Sequence, residues 1–164
     1  MKLIPSRILD LIEDNKNKNN TNINDKEEEE VIFDNNTFLV VKDLKHTNSS
    51  YHYTAWSKKD IRSLIEINQD IINSIQEIQN HLLEKSIITK THTAFVHFPP
   101  QFWRLHVHFV QDNHIFEAPK HEIIKMDDII KYYNKDNNYF SKNIILLQPT
   151  KNNNNSICHQ EWLY

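Results

Sequence analysis

The chain has 164 residues, a formal net charge of −3 and a hydrophobic share of 38%, which suits one domain with a single core and is short for two. The near-neutral charge argues against a protein that coats nucleic acid electrostatically, and no apolar run approaches the roughly 20 residues of a membrane helix. One cysteine, Cys158, excludes an internal disulfide framework and any multi-cysteine zinc site, so a reducing compartment is expected. The N-terminus has no long apolar stretch and no small-residue cleavage site, so a secretory signal is not expected. There is no glycine, against 21 Asn, 22 Ile and 3 Arg. That excludes glycine-rich phosphate loops and leaves positions of positive φ to Asn or Asp.

Along the chain, Ser6 to Asp14 reads as a short helix capped by Ser6, with Ile8, Leu11 and Ile12 on one face. It forms an N-terminal unit over 1–14. Residues 15–30 form an Asn/Lys/Glu-rich linker without a core pattern. The domain proper runs from 31 to 150. Val31–Phe33 and Thr37–Val41 read as strands around the turn Asp34-Asn35-Asn36, and Tyr51 to Trp56 as a third strand. Ser57-Lys58-Lys59-Asp60 resembles a capping box. It predicts one long helix over 58–84, whose Ile61, Leu64, Ile65, Ile72, Ile75, Ile78 and Leu82 recur at helical spacing. Two alternating segments follow, 92–98 and 104–110, joined through Pro99-Pro100 as a β-hairpin. A short helix is predicted over 126–134, a last strand near 143–147, and a tail over 151–164. The fold class is α+β: an antiparallel sheet of about five strands backed by the long helix.

Alternation puts Arg104, His106 and His108 on one face of the second hairpin strand and Leu105, Val107 and Phe109 on the core face. Pairing position 97 with about 104 brings His97 to the same strip, whereas a one-residue slip turns it into the core. Such a strip suits zinc, with two ligands from His-x-His and a third from His97. It equally suits phosphate, which Arg and His hold by charge-assisted hydrogen bonds and whose phosphorus a neutral His can attack. The spacing alone does not separate the two.

The run Pro100-Gln101-Phe102-Trp103-Arg104-Leu105-His106-Val107-His108-Phe109 resembles the histidine-triad signature as written in scavenger mRNA-decapping enzymes. Further segments match that family in order: Phe33-Asp34-Asn35, Phe38 to Lys45 with its Asp-Leu-Lys, Asp60-Ile61-Arg62-Ser63-Leu64, Val96-His97-Phe98, and Phe116-Glu117-Ala118-Pro119. The resemblance covers roughly 27–148. It implies His106 as the nucleophile and His108 as its catalytic companion on the phosphate. It implies His97, Arg104, Lys45 and Gln101 as phosphate-binding residues, and Asp43, Leu44 and Glu27 as nucleoside-binding ones. It implies no metal and no cofactor, an mRNA cap, capped RNA fragment or cap dinucleotide as substrate, a nucleotidyl-histidine intermediate, a homodimer, and a location in the cytoplasm, with the nucleus as well where RNA decays there.

The sequence departs from the family at several points. Arg104 stands where the first triad histidine belongs, Gln101 where a hydroxyl residue does, and Lys42 replaces a proline. The tryptophan that stacks on the methylated base is missing from residues 1–12. The expected activity is hydrolysis of a nucleotide phosphoanhydride. The alternatives are a cap- or nucleotide-binding module without turnover, and a general dinucleoside-polyphosphate or phosphoramidate hydrolase.

Overall fold

The computed structural model describes residues 5–14, 30–43, 51–98, 100, 102, 104–111, 123–146 and 160–162. Helix α1 (Ser6–Asp14) precedes strands β1 (Val31–Asp34), β2 (Phe38–Lys42) and β3 (His52–Ser57). A 3-10 turn (Leu64–Glu66) leads into α2 (Gln69–Glu84), then β4 (His92–His97), β5 (His106–Gln111) and β6 (Ile123–Lys125). Helices α3 (Met126–Lys135) and α4 (Tyr139–Asn143) and strands β7 (Ile144–Leu146) and β8 (Gln160–Trp162) complete the fold. Six strands form one antiparallel sheet in the order β1-β2-β3-β5-β4-β6, and β7 pairs with β8. The sheet has one strand more than expected, because Ile123–Lys125 pairs with the outer edge of β4.

The two sheet faces have different fates. Phe38, Val40, Ala55, Val96, Val107 and Phe109 point to the main core, where they meet Ile71, Ile72, Ile75, Ile78 and Leu82 of α2 and Met126, Ile129, Tyr133 and Phe140 of α3 and α4. The expected periodicity of α2 is therefore its buried stripe. The other face carries Leu39, Val41 and Trp56, against which α1 packs Ile8 and Ile12 in a second cluster, with Leu11 and Phe102 at its border.

Three local expectations need correction. The long helix starts at Gln69, not at 58: Ser57 ends β3 and its Oγ accepts from Lys59 N within a turn, so the apparent capping box caps nothing. Ser63 instead caps the 3-10 turn, and Asn68 Oδ1 caps α2 by accepting from Ile71 N at 3.1 Å. Helix α1 takes its first hydrogen bonds on the Pro5 carbonyl, from Ile8 N and Leu9 N, so the cap lies one residue before Ser6. The positive φ assigned to Asn or Asp falls, among the described residues, to Ser86 at 55°. Ser86 closes α2: its N–H bonds Leu83 O at 3.0 Å and Ile87 N–H bonds Leu82 O at 2.9 Å, the pair of bonds of a Schellman end. The β1–β2 turn is as expected, with Asn35 Oδ1 accepting from Thr37 N and Phe38 N.

Candidate active site

The site is built on the centre of the sheet. β3 pairs with β5 so that Trp56 faces His106, Thr54 faces His108 and His52 faces Val110. β4 pairs with β5 so that Phe95 faces His108. Continuing that register by two residues sets position 97 level with 106. His97 thus joins His106 and His108 on one face as expected, but beside His106 rather than beside Arg104. The ring centroids of His97 and His108 are 4.8 Å apart, and those of His106 and His108 are 5.0 Å apart.

This face is not an open polar strip. His106 is 4% exposed and His108 9%. Trp56 stacks on His106 with centroids 4.4 Å apart and planes 19° apart, and Phe102 meets the same ring edge-on at 5.7 Å. Phe95 stacks on His108 at 5.0 Å. Because Trp56 also belongs to the cluster under α1, the N-terminal helix helps to wall the histidines.

His106 Nδ1 lies 2.8 Å from the backbone oxygen of Arg104. A carbonyl oxygen only accepts, so Nδ1 carries the proton and donates, and the unprotonated lone pair of the neutral ring is on Nε2. Burial pushes the imidazole pKa down to about 4, with nearby His97 adding to the effect and the Arg104 carbonyl opposing it. His106 is consequently a neutral, oriented base at ordinary pH, the state in which an imidazole attacks phosphorus.

Arg104 lines the same small cleft as His97 and His106, together with Arg62 and Ser63. Its Nη1 donates to Lys59 O at 2.9 Å and to Lys58 O at 3.4 Å. The guanidinium therefore ties the start of β5 to the end of β3. Asp43 stands at the end of β2 with its Oδ2 3.5 Å from His52 Nδ1, and His52 Nε2 is 2.9 Å from His108 Nδ1. Leu44, Lys45, Gln101 and Glu27 lie outside the described residues, as do Trp103 and 116–119. Sequence reasoning passed over His52. Its signal was the period-two run His52, Thr54, Trp56, which places it on the face of Trp56 once β3 neighbours β5. Among the described residues, no set of three His, Cys, Asp or Glu side chains is arranged to hold a metal ion. Nor is any helix among them long and apolar enough to cross a membrane.

Against known proteins, the family profile described as "Scavenger mRNA decapping enzyme C-term binding" matches residues 16–124, well over half of the chain. No curated protein sequence matches. Among solved structures, Hnt3 in complex with DNA and guanosine is similar at a TM-score of 0.51 and 15% identity, covering 75% of each chain. The aprataxin ortholog Hnt3 in complex with DNA is similar at 0.50 and 14%, covering 75% of this chain and 73% of that one. Hnt3 from Schizosaccharomyces pombe stands at 0.48 and 15%, with 72% and 68% covered. At such identities the likeness to the first two speaks for the fold alone.

Proposed function

We propose that this chain, which belongs to the scavenger mRNA decapping enzyme C-terminal family of histidine-triad domains, hydrolyses a nucleotide phosphoanhydride, and that its substrate is an mRNA cap or cap dinucleotide. The observation that carries the reading is the state of His106: neutral, buried beside His97 and His108, and bonded through Nδ1 to Arg104 O at 2.8 Å. Nε2 of His106 attacks the phosphorus next to the methylguanosine. A P–N bond forms, the P–O bond to the remaining nucleoside diphosphate breaks, and that product leaves with the electron pair. Water then cleaves the nucleotidyl-histidine, returning His106 and releasing the nucleoside monophosphate. His97 and His108 stabilise the charge on the phosphate oxygens by hydrogen bonding in a buried site. Arg104, Lys45 and Gln101 bind the phosphate chain, and Asp43, Leu44 and Glu27 the nucleoside, as the family pattern implies for their positions. Arg104 would do so from the cleft edge, where its Nη1 already serves two carbonyls.

The test is incubation with m7GpppG in the presence of a chelator, with identification of the products. Methylguanosine monophosphate and GDP are expected, and His106→Asn is expected to lose turnover while still binding the dinucleotide. More than a few per cent residual activity in a folded His106→Asn protein overturns the assignment of the nucleophile. Binding without turnover in the wild type would favour the nucleotide-binding module instead.

A further inference from the structure

β3 lies beside β5 with His52 opposite Val110 and Thr54 opposite His108, so His52 and His108 are diagonal neighbours on one face of the sheet. Both rings are buried, at 3% and 9% exposure. His52 Nε2 is 2.9 Å from His108 Nδ1, and His52 Nδ1 is 3.5 Å from Asp43 Oδ2. The backbone reinforces the arrangement, since Asp43 N–H donates to His52 O at 2.9 Å.

The protons follow from what each atom can do. The Asp43 carboxylate, 3.5 Å away, favours a proton on the nearer His52 nitrogen, Nδ1. Two lone pairs facing each other at 2.9 Å would repel, so one proton lies between His52 Nε2 and His108 Nδ1. Whichever ring holds that proton, the remaining position of the pair is His108 Nε2, on the far side of the ring from His52.

We propose that His52 is a positioning residue for the hydrolysis: with Asp43 behind it, it holds the His108 ring so that Nε2 of His108 faces away from the pair and donates to a substrate phosphate oxygen once the pair has taken up a further proton. This rests on reading the site as a phosphate-transfer centre. With a proton on Nε2, the two imidazoles share one positive charge that faces the Asp43 carboxylate, and their titration belongs to the pair. Among the described residues, the groups facing His108 include His97 from β4 and His106 on β5, which oppose that charge when protonated, and the uncharged Thr54 and Phe95. The donating form is the protonated one, so turnover falls as pH rises through the apparent pKa of the pair. Removing the Asp43 charge moves that fall to lower pH.

Three variants of the full chain test this. In His52→Leu, kcat is expected to drop by roughly tenfold to a hundredfold, the usual effect of losing a group that orients a working one, with KM little changed. His52→Gln, whose amide oxygen can still accept from His108 Nδ1–H, should recover part of the loss, which a packing role would not predict. Asp43→Asn should shift the alkaline fall of kcat to lower pH. Nitrogen NMR of ring-labelled protein, which needs no substrate, should show the His108 Nδ1 proton in the wild type and its loss or redistribution in His52→Leu. Should His52→Leu not fold, His52→Gln and Asp43→Asn carry the test. Unchanged His108 ring signals and an unchanged pH profile in folded variants overturn the inference. If the wild type hydrolyses no nucleotide, the role in turnover falls with the proposed function, and the ring spectrum still decides whether His52 sets the His108 proton.

Discussion

At the scale of single residues, the depressed pKa of His106 links catalysis to stability. The folded ring titrates at about 4 against an ordinary 6.5. Between those values the unfolded chain binds a proton that the folded chain does not, so stability falls as pH drops from about 6.5 toward 4 and stays intact above that window. The contribution is on the order of 3 kcal/mol. His106→Asn should flatten this part of the stability curve, as urea titrations at pH 7 and pH 4.5 would read directly. Ser86 offers a second test. A residue with a Cβ pays roughly 1 kcal/mol for the left-handed region, which glycine enters at no steric cost. Ser86→Gly should therefore stabilise the protein by about 0.5–1 kcal/mol, less whatever the more flexible unfolded chain takes back. A loss of stability would show that Ser86 is not held at positive φ.

At the scale of elements, α1 links the N-terminus to the active face. Ile12 is 2% exposed and packs in the cluster that contains Trp56, and Trp56 stacks on His106. Ile12→Ala is expected to cost about 2–4 kcal/mol, as for other buried Ile truncations, and to shift tryptophan emission as water reaches Trp56. The same packing bears on base selectivity. A methylated purine gains cation–π energy from an aromatic wall, about 0.5–2 kcal/mol, but Trp56 is already covered by His106, Phe102 and α1. We therefore expect kcat/KM for m7GpppG and GpppG to agree within about tenfold, equivalent to 1.4 kcal/mol. A preference well above a hundredfold would require another ring to close on the base.

At the scale of the whole molecule, the six-stranded sheet ends in β1 on one side and β6 on the other. Histidine-triad resemblance leads us to expect a homodimer, and sedimentation equilibrium returning a monomer at micromolar concentration would remove that expectation. Since the proposed reaction uses an imidazole nucleophile and hydrogen-bond donors, turnover should survive exhaustive chelation unchanged. Activity lost to a chelator and restored by zinc would support the metal reading of the histidine strip instead.

Alternation and spacing along the chain determined the hairpin, the core face Leu105-Val107-Phe109, the helix stripe from Ile72 to Leu82 and the shared face of His106 and His108. These are local consequences of a two-residue or 3.6-residue period, and a period is legible without knowing the fold. Short motifs in family order determined the superfamily for the same reason: each is contiguous. Helix ends were less legible, because Ser57, Ser63 and Asn68 are all acceptable caps and only strand pairing consumes the first. The burial of His106, its covering by Trp56 and α1, and the bond from His52 to His108 depend on which strand neighbours β5. Residues 52 and 108 are brought within 2.9 Å by the β3–β5 pairing alone. No pattern along the chain encodes that adjacency, since it arises when the sheet orders its strands to bury both faces, and it is this ordering that sets the protons of the site.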